Sequence, residues 1–401
     1  MIWEDLSPRS GSRRFLFEAT PRLQRQGHEV RIYTTKLDQE LCYPELLNLP
    51  IEVIPKARSS LGRFFRQTLG RDLDHYWVHA RVYMEISRRI ADWHPDVVVF
   101  NYAGEPWLPQ YFYFLRKPLG IVTLHVIPGG KPRARKLSWW RIEQKVRTLP
   151  PMGTWNVRSL ERLAGFITHS NYVYEQAAKV LGDTMSGVTE IVPLGVNHSE
   201  FHPTHEEEPF VLCLGRIDPQ KNLELIIQAM SHVDPSYSLV IAGSVEDRFK
   251  PYRDRMVEFA EKMNLQERFK IVKPSRAQVV RLIQTCSVFL FPSTVDTFGL
   301  TVLEAMACGK PIVACRAGGI PELLHDCGIL LEPDPEQWQK AIGKLLSSPR
   351  LRGKIGQKAF DKSKKYSWDK TVDSYIHALE NLLTRNTNDE TQNNARLRKK
   401  A

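Results

Sequence analysis

Four residues in the second half of this 401-residue chain are of the types that hold a phosphorylated, hydroxyl-rich ligand: Arg216, Lys221, Asp296 and Glu304. Arg216 and Lys221 stand in LGRIDPQKN, directly after an apolar, strand-like run. That puts the arginine at a strand's carboxyl end and the lysine near the start of the next helix, where open parallel sheets bind ligands. A planar guanidinium fork and a point-charge ammonium suit the two phosphates of a diphosphate. Taken singly, each would be an ordinary surface residue in a turn; the position after a strand is what sets them apart. Asp296 and Glu304 are separated by seven residues in FPSTVDTFGLTVLEAMACGKPIVACRAGGIPELL, with Phe298-Gly299-Leu300 between them. The pattern places the aspartate on the loop after the strand SVFLF and the glutamate on the helix that follows. The N-terminus of that helix offers unpaired N–H groups to a phosphate, while the carboxylates accept hydrogen bonds from hydroxyls. Phosphate and hydroxyls together describe a nucleotide sugar.

The elements that must position these residues alternate along the chain. HEVRIYTT, DVVVFN, GIVTLHV, GFITHS and TEIVPLG read as strands of a first series, with a helical RVYMEISRRIADW among them. PFVLCLGRI, YSLVIAG, FKIVK, SVFLFPS and PIVACRAGG form a second, separated by helical stretches such as NLELIIQAM and RAQVVRLIQTC. Alternation of this kind predicts α/β architecture with parallel sheets and crossover helices. The joint falls near NHSEFHPTHEEEP, where polar residues and prolines interrupt the apolar periodicity. The expected division is a first domain over residues 1–195, a second over 196–365, a helix over 366–384 crossing back to the first, and a disordered basic tail over 385–401. Trp368, within YSWDKTVDSYIHALENLLT, reads as core rather than ligand contact.

On these residues the second half resembles the C-terminal domain of the retaining glycosyltransferases of family 4, which adopt the GT-B fold of two doubly wound, Rossmann-like domains facing a cleft. The family pattern is a Glu, seven residues and a Glu; here the first acidic residue is Asp296, one methylene shorter, while Leu303-Glu304-Ala305-Met306 and Gly318-Gly319-x-x-Glu322 follow it. The resemblance implies that Glu304 holds ribose hydroxyls, that Asp296 holds hydroxyls of the donor sugar, and that Arg216 and Lys221 bind the diphosphate. It implies further donor contacts at Gly215, Phe298, Gly299, Leu300 and Thr301. PLGVNHSEFHP resembles the interdomain segment, with Asn197 where the family commonly has Asp, and GFITHSNYV resembles the strand and serine, Ser170, before it. SPRSGSRRFLFEATPRLQRQGHEVRIYTT resembles the first loop, helix and strand of the acceptor domain, with Gly11 near the transferred phosphate and Met1–Asp5 as a short first strand. His125 in GIVTLHVIPGG, a core histidine if judged alone, matches the family histidine that contacts the transferred sugar; His169 is read as core. YTTKLDQELCYPELLNLPIEVI is similar to dolichol-pathway α-mannosyltransferases, which implies GDP-mannose as donor and a glycan or lipid-linked acceptor. No cofactor is expected, and without a DxD motif no metal site. Two other readings stay beside the transferase: a catalytically silent GT-B subunit that binds nucleotide or lipid, and a GT-B sugar-nucleotide epimerase or phosphorylase.

Composition narrows the class. Hydrophobic residues at 42% and charged residues at 25% are ordinary globular values. No run of eighteen apolar residues occurs, MIWEDLSPRS lacks a signal-peptide pattern, and the six cysteines are scattered without a C-x-x-C pair. A cytoplasmic protein with reduced core thiols is expected, one that could lie on the inner face of a membrane. The net charge of +11 is mostly N-terminal: residues 1–195 hold 27 basic and 19 acidic side chains. The excess concentrates at 56–71 and at 131–147, the latter around Trp139 and Trp140. Basic residues mixed with aromatics suit an anionic membrane surface, and a solvated basic surface beside a phosphate-binding cleft suits them equally. Nucleic acid is not expected, since no recognised nucleic-acid module is present.

Overall fold

The computed structural model describes residues 1–6, 11–40, 42–56, 82, 84–102, 119–125, 163–181, 185 and 188–398. The basic segments 56–71 and 131–147 lie outside these residues, apart from Lys56. The chain divides into two compact units: Met1–Val192 with Val372–Ala401, and Pro193–Thr371.

In the first unit the strands are β1 (Ile2–Asp5), β2 (Ile32–Lys36), β3 (Ile51–Val53), β4 (Val97–Tyr102), β5 (Leu119–Leu124), β6 (Leu163–Thr168) and β7 (Thr189–Ile191). They lie side by side in the order β3-β2-β1-β4-β5-β6-β7, all parallel. The near-continuous apolar runs VVVF and IVTL are what strands covered on both faces require. β4 and β5 pair from Val97↔Leu119 through Tyr102↔Leu124. The short first strand is central: β1 pairs with β2 at three positions and with β4 at Ile2↔Phe100, and Ile2 and Trp3 are buried.

In the second unit β8 (Glu208–Leu214), β9 (Ser238–Ala242), β10 (Phe269–Val272), β11 (Cys286–Phe291), β12 (Ile312–Cys315) and β13 (Ile329–Leu331) lie in the order β10-β9-β8-β11-β12-β13, again all parallel. Every residue of β11 is buried. Its side chains and those of β8 and β12 meet the helices Leu223–Met230 and Pro335–Leu346 in one core that includes Val211, Ile226, Leu290, Val313, Trp338 and Ile342. The segment 197–207 is built into this unit rather than strung outside it: Phe201 is fully buried and Glu207 pairs with Arg352.

Strand order reverses between β1 and β4 in one sheet and between β8 and β11 in the other. The crevice beyond the carboxyl ends of the strands at such a reversal is where a doubly wound sheet binds ligands.

One expectation fails at the C-terminus. The helix that begins at Trp368 runs on to Arg398, through most of the stretch expected to be disordered. Adding a residue to an existing helix fixes one residue per hydrogen bond, whereas starting one fixes several, so a polar stretch can follow a helix nucleated by buried Trp368, Val372 and Tyr375. Trp368 is a core residue, as expected. The six cysteines are free thiols and all are buried. Among the described residues no helix is long and apolar enough to cross a membrane.

Candidate active site

The site in the second unit begins where β8 and β9 end. A side chain at Gly243 would place its Cβ 1.7 Å from the Gly215 carbonyl oxygen, so only glycine lets these two backbones close up. Asp218, 2% exposed, then caps a short 3-10 turn, Pro219–Lys221, its carboxylate accepting the Gln220 N–H at 3.0 Å. Asn222 takes a left-handed conformation, φ 47°, and starts the next helix. This turn folds Lys221 back so that its stem would touch a Cβ at Gly215 at 3.4 Å; glycine there leaves the lysine its path.

The ammonium of Lys221 ends up 5.2 Å from the centre of the Phe291 ring, 3.4 Å from Asp296 Oδ2 and 3.5 Å from Ser293 Oγ. Arg216, 42% exposed, meets Asp218 Oδ2 at 3.2 Å and Glu246 Oε1 at 3.1 Å. Arg216, Lys221, Gly215, Phe291 and Ser293 line one small pocket with Cys213, Leu214, Leu223, Ile241 and Pro292. Burial pushes the Cys213 thiol up to about 12, partly offset by Lys221, so it lines the wall as a neutral thiol and not as a nucleophile. The pocket therefore holds two cations, each matched by acidic groups that an incoming anion could replace.

Beside it, the Asp296 loop is held from below by a pair of glycines. Gly319 donates its N–H to the Asp296 carbonyl at 3.0 Å. A Cβ at Gly318, φ +63°, would lie 1.9 Å from that same oxygen, and one at Gly319 would lie 2.5 Å from the Thr297 carbonyl. Gly299, φ +92°, precedes the helix Leu300–Ala307 and would drive a Cβ into Ile320. The short side chain of Asp296 turns back on its own loop: Oδ1 accepts the Phe298 N–H at 3.2 Å while Oδ2 faces Lys221. An aspartate makes this turn readily because its carboxylate is within reach of the backbone two residues on. Phe298 is buried, Leu300 and Thr301 are half-buried at the start of the helix, and Glu304, 3% exposed, points into the unit with Arg276 Nη1 3.4 Å from its Oε1.

In the first unit, His125 follows β5 and is 5% exposed. It stacks on Trp3 with ring centres 5.0 Å apart and also packs against Phe15. Arg13 lies over the Trp3 ring, 5.4 Å from its centre, and donates twice to the Asp5 carbonyl, at 3.1 and 2.7 Å. His125 Nε2 is 3.0 Å from Asn101 Oδ1, His125 Nδ1 is 3.1 Å from His169 Nε2, and His169 Nδ1 is 2.8 Å from the Val192 carbonyl. A row of two imidazoles between two oxygens needs three N–H protons, and two neutral rings carry two. A third would put a positive charge in a buried place, and burial instead holds His125 well below its usual value and brings His169 down to about 4. Turning the Asn101 carboxamide resolves the count, since its Nδ2 is otherwise buried without a partner. The row then runs from the Asn101 N–H to His125, from the His125 Nδ1–H to His169, and from the His169 Nδ1–H to Val192.

Of the residues singled out in the sequence, the fold brings Gly215, Arg216, Lys221 and Asp296 together, with Phe298, Gly299, Leu300, Thr301 and Glu304 on the adjoining loop and helix. His125 and Gly11 belong to the first unit; Gly11 opens the helix Gly11–Arg25, and Gly129 and Gly130 lie outside the described residues. Sequence reasoning missed Asp218, Glu246, Arg276 and the partnership of His169. Asp218 was findable, since an Asp before Pro at a helix start is a cap signal; the other three carry no local mark.

Residues 9–200 match the family model described as Glycosyltransferase Family 4, and residues 197–362 match the one described as Glycosyl transferases group 1. An uncharacterised glycosyltransferase of Methanocaldococcus jannaschii is 29% identical over 206 residues, 51% of this chain and 55% of that protein. The D-inositol 3-phosphate glycosyltransferase of Mycobacterium marinum is 30% identical over 176 residues, 42% of this chain and 38% of that one. The matches thus span about half or less of the curated relatives' length. Among solved structures, the sucrose-phosphate synthase of Thermosynechococcus elongatus superposes with a TM-score of 0.75 at 20% identity, covering 96% of this chain and 98% of its own. Anabaena HepE in complex with UDP and glucose superposes with a TM-score of 0.72 at 16% identity, covering 95% and 98%. Both share the α/β GT-B fold with this chain.

Proposed function

We propose, for a chain whose two halves match the family models described as Glycosyltransferase Family 4 and Glycosyl transferases group 1, that it moves a sugar from a nucleoside diphosphate sugar to a glycan or lipid-linked acceptor. The observation that carries the reading is the pairing of Arg216 and Lys221 at the point where strand order reverses, each resting against acidic groups that a diphosphate can displace.

Cleaving a glycosyl phosphate leaves charge on the departing diphosphate, and preorganised cations lower the barrier to that separation. In this proposal Arg216 and Lys221 take up that charge with the backbone N–H groups at the start of the helix Leu300–Ala307. Asp296 binds hydroxyls of the transferred sugar, and Glu304 binds those of the ribose. The transfer retains the anomeric configuration. The bond from the anomeric carbon to the phosphate oxygen breaks, the acceptor oxygen joins on the same face, and the acceptor's proton passes to the departing phosphate. No side chain serves as nucleophile, and neutralisation of the leaving group is assigned to the two cations rather than to a metal.

Two donors compete within this reading. The similarity of the first half to dolichol-pathway mannosyltransferases favours GDP-mannose, while the structural neighbour that carries UDP and glucose favours UDP-glucose. A membrane-bound acceptor accords with the basic stretches 56–71 and 131–147. The test is thermal shift and turnover with GDP-mannose, UDP-glucose, UDP-N-acetylglucosamine and the free diphosphates, with and without magnesium. Stabilisation by one nucleotide class with slow release of its diphosphate is expected. Absence of stabilisation by all of them would overturn the transferase reading in favour of a silent GT-B subunit.

A further inference from the structure

Arg276 belongs to no motif, yet the fold ties it to a deeply buried carboxylate of the site, Glu304. Its own place is set locally. Ser275 caps the helix Arg276–Thr285: its hydroxyl accepts the Gln278 N–H, and the Gln278 side-chain oxygen accepts the Ser275 N–H at 2.8 Å. Arg276 is thus the first residue of a well-anchored helix. Its guanidinium lies over the Phe201 ring at 4.8 Å, and Nε and Nη2 each reach one oxygen of Glu200 at 2.7 Å, a bidentate fork. The remaining nitrogen, Nη1, is 3.4 Å from Glu304 Oε1.

Three orienting contacts on one guanidinium are more than a surface arginine needs. Glu304, 3% exposed, is deep enough that its charge is costly unless a cation faces it. An ionised carboxylate accepts hydrogen bonds at about four lone-pair positions, and protonation turns one of its oxygens into a donor. Two vicinal hydroxyls donating one to each oxygen are best met by the ionised form. A lysine at this position would supply charge without the planar fork.

We propose that Arg276 is a positioning residue for nucleoside recognition: anchored on Glu200 and Phe201, it keeps Glu304 ionised and oriented to accept the ribose hydroxyls, and it takes no part in holding phosphate. This deepens the reading of Glu304 as the ribose ligand and rests on it. The division of labour is its distinctive consequence, since a residue that merely supports the fold would not tell ribose from phosphate.

Calorimetric titration of the full chain separates the two. The probes are UDP, GDP, the 2′,3′-dideoxy form of whichever binds better, and inorganic diphosphate. In Arg276→Ala the Kd of the nucleoside diphosphate is expected to rise about tenfold, the scale of one charge-assisted hydrogen bond. Inorganic diphosphate should bind within about twofold of the wild type, and the dideoxy nucleotide should lose most of the difference between variant and wild type. Arg276→Lys should fall between the two. Should circular dichroism show Arg276→Ala unfolded, Glu200→Gln carries the test, with a smaller rise in the same ligand order. Equal weakening of nucleoside diphosphate and inorganic diphosphate, or unchanged nucleoside diphosphate binding, overturns the proposal. Wild-type protein that binds inorganic diphosphate and neither UDP nor GDP overturns the ribose reading itself, and this inference with it; that failure shows before any variant is made.

Discussion

In the second unit the loops after β8, β9 and β11 gather Arg216, Asp218, Lys221, Glu246 and Asp296, charged side chains that mostly keep contact with solvent. In the first unit the ends of β4, β5 and β6 gather Asn101, His125 and His169 against Trp3 and Phe15, all of them buried. Both groups stand at the carboxyl ends of parallel strands wired on one plan. The difference lies in what each can do with a proton or an anion. Exposed ion pairs exchange partners at small cost, because water screens what is lost. A buried imidazole row cannot take on charge without a large penalty, so it holds fixed hydrogen-bond directions. One group is suited to capturing an anion and the other to presenting a rigid, neutral surface.

The comparison is broken most directly at its charged side. Arg216→Ala and Lys221→Ala should each lower turnover by ~10²-fold or more while circular dichroism stays unchanged, the size seen when one preorganised charge-stabilising group is removed. Near-normal turnover in both would remove the anion-capturing role. Next comes the loop under Asp296. Gly318→Ala forces a left-handed φ of 63° and a Cβ onto the Asp296 carbonyl, and denaturant unfolding should show a loss on the order of 1–3 kcal/mol. An unaltered midpoint would mean that the glycine pair does not hold the loop.

The neutral side is probed by acid. The folded protein binds fewer protons at His169, brought down to about 4 from 6.5, and at His125, also lowered, than the unfolded chain does. Stability from these rings is present above about pH 6.5 and is lost as pH falls toward 4. The melting temperature should decline across that window, and His169→Gln, which removes one titrating ring, should flatten the decline. A wild-type profile that is level from 6.5 to 4 would show the rings to be charged in the fold. The smallest effect is expected at Glu246→Gln, which frees Arg216 from one of its two acids. Inorganic diphosphate should bind up to about fivefold tighter, in keeping with the ~0.2–1 kcal/mol of an exposed pair, and the gain should shrink with added salt. Weaker binding would mean that Glu246 orients Arg216 rather than competing with its ligand.

Legibility in the sequence followed the range of the interactions. Strand runs such as VVVF and CSVFLF, the carboxylates Asp296 and Glu304, and the Gly318-Gly319 pair announce themselves because burial on both faces, a loop-to-helix step and close backbone approach each demand particular residue types at fixed local spacing. Composition alone predicts a disordered polar tail, since it gives no account of a helix already nucleated upstream at Trp368. Glu246, thirty residues from Arg216, and Glu200, seventy-six from Arg276, left no trace. Nor did the row from Asn101 through His125 and His169 to Val192, assembled from four separate segments.

By itself the sequence determined which chemistry this protein is equipped for. Cations after a strand, carboxylates on the next loop and helix, and alternating apolar periods are local facts, and local sterics and burial enforce them. Only the tertiary structure decided how each of those groups is held: Lys221 against Asp296, Arg216 between two acids, Glu304 under Arg276, and His125 locked by His169. The partner of a charge or a proton is chosen by which chain segments the parallel sheet brings within a few ångströms, and hydrogen bonds and ion pairs act only over that distance.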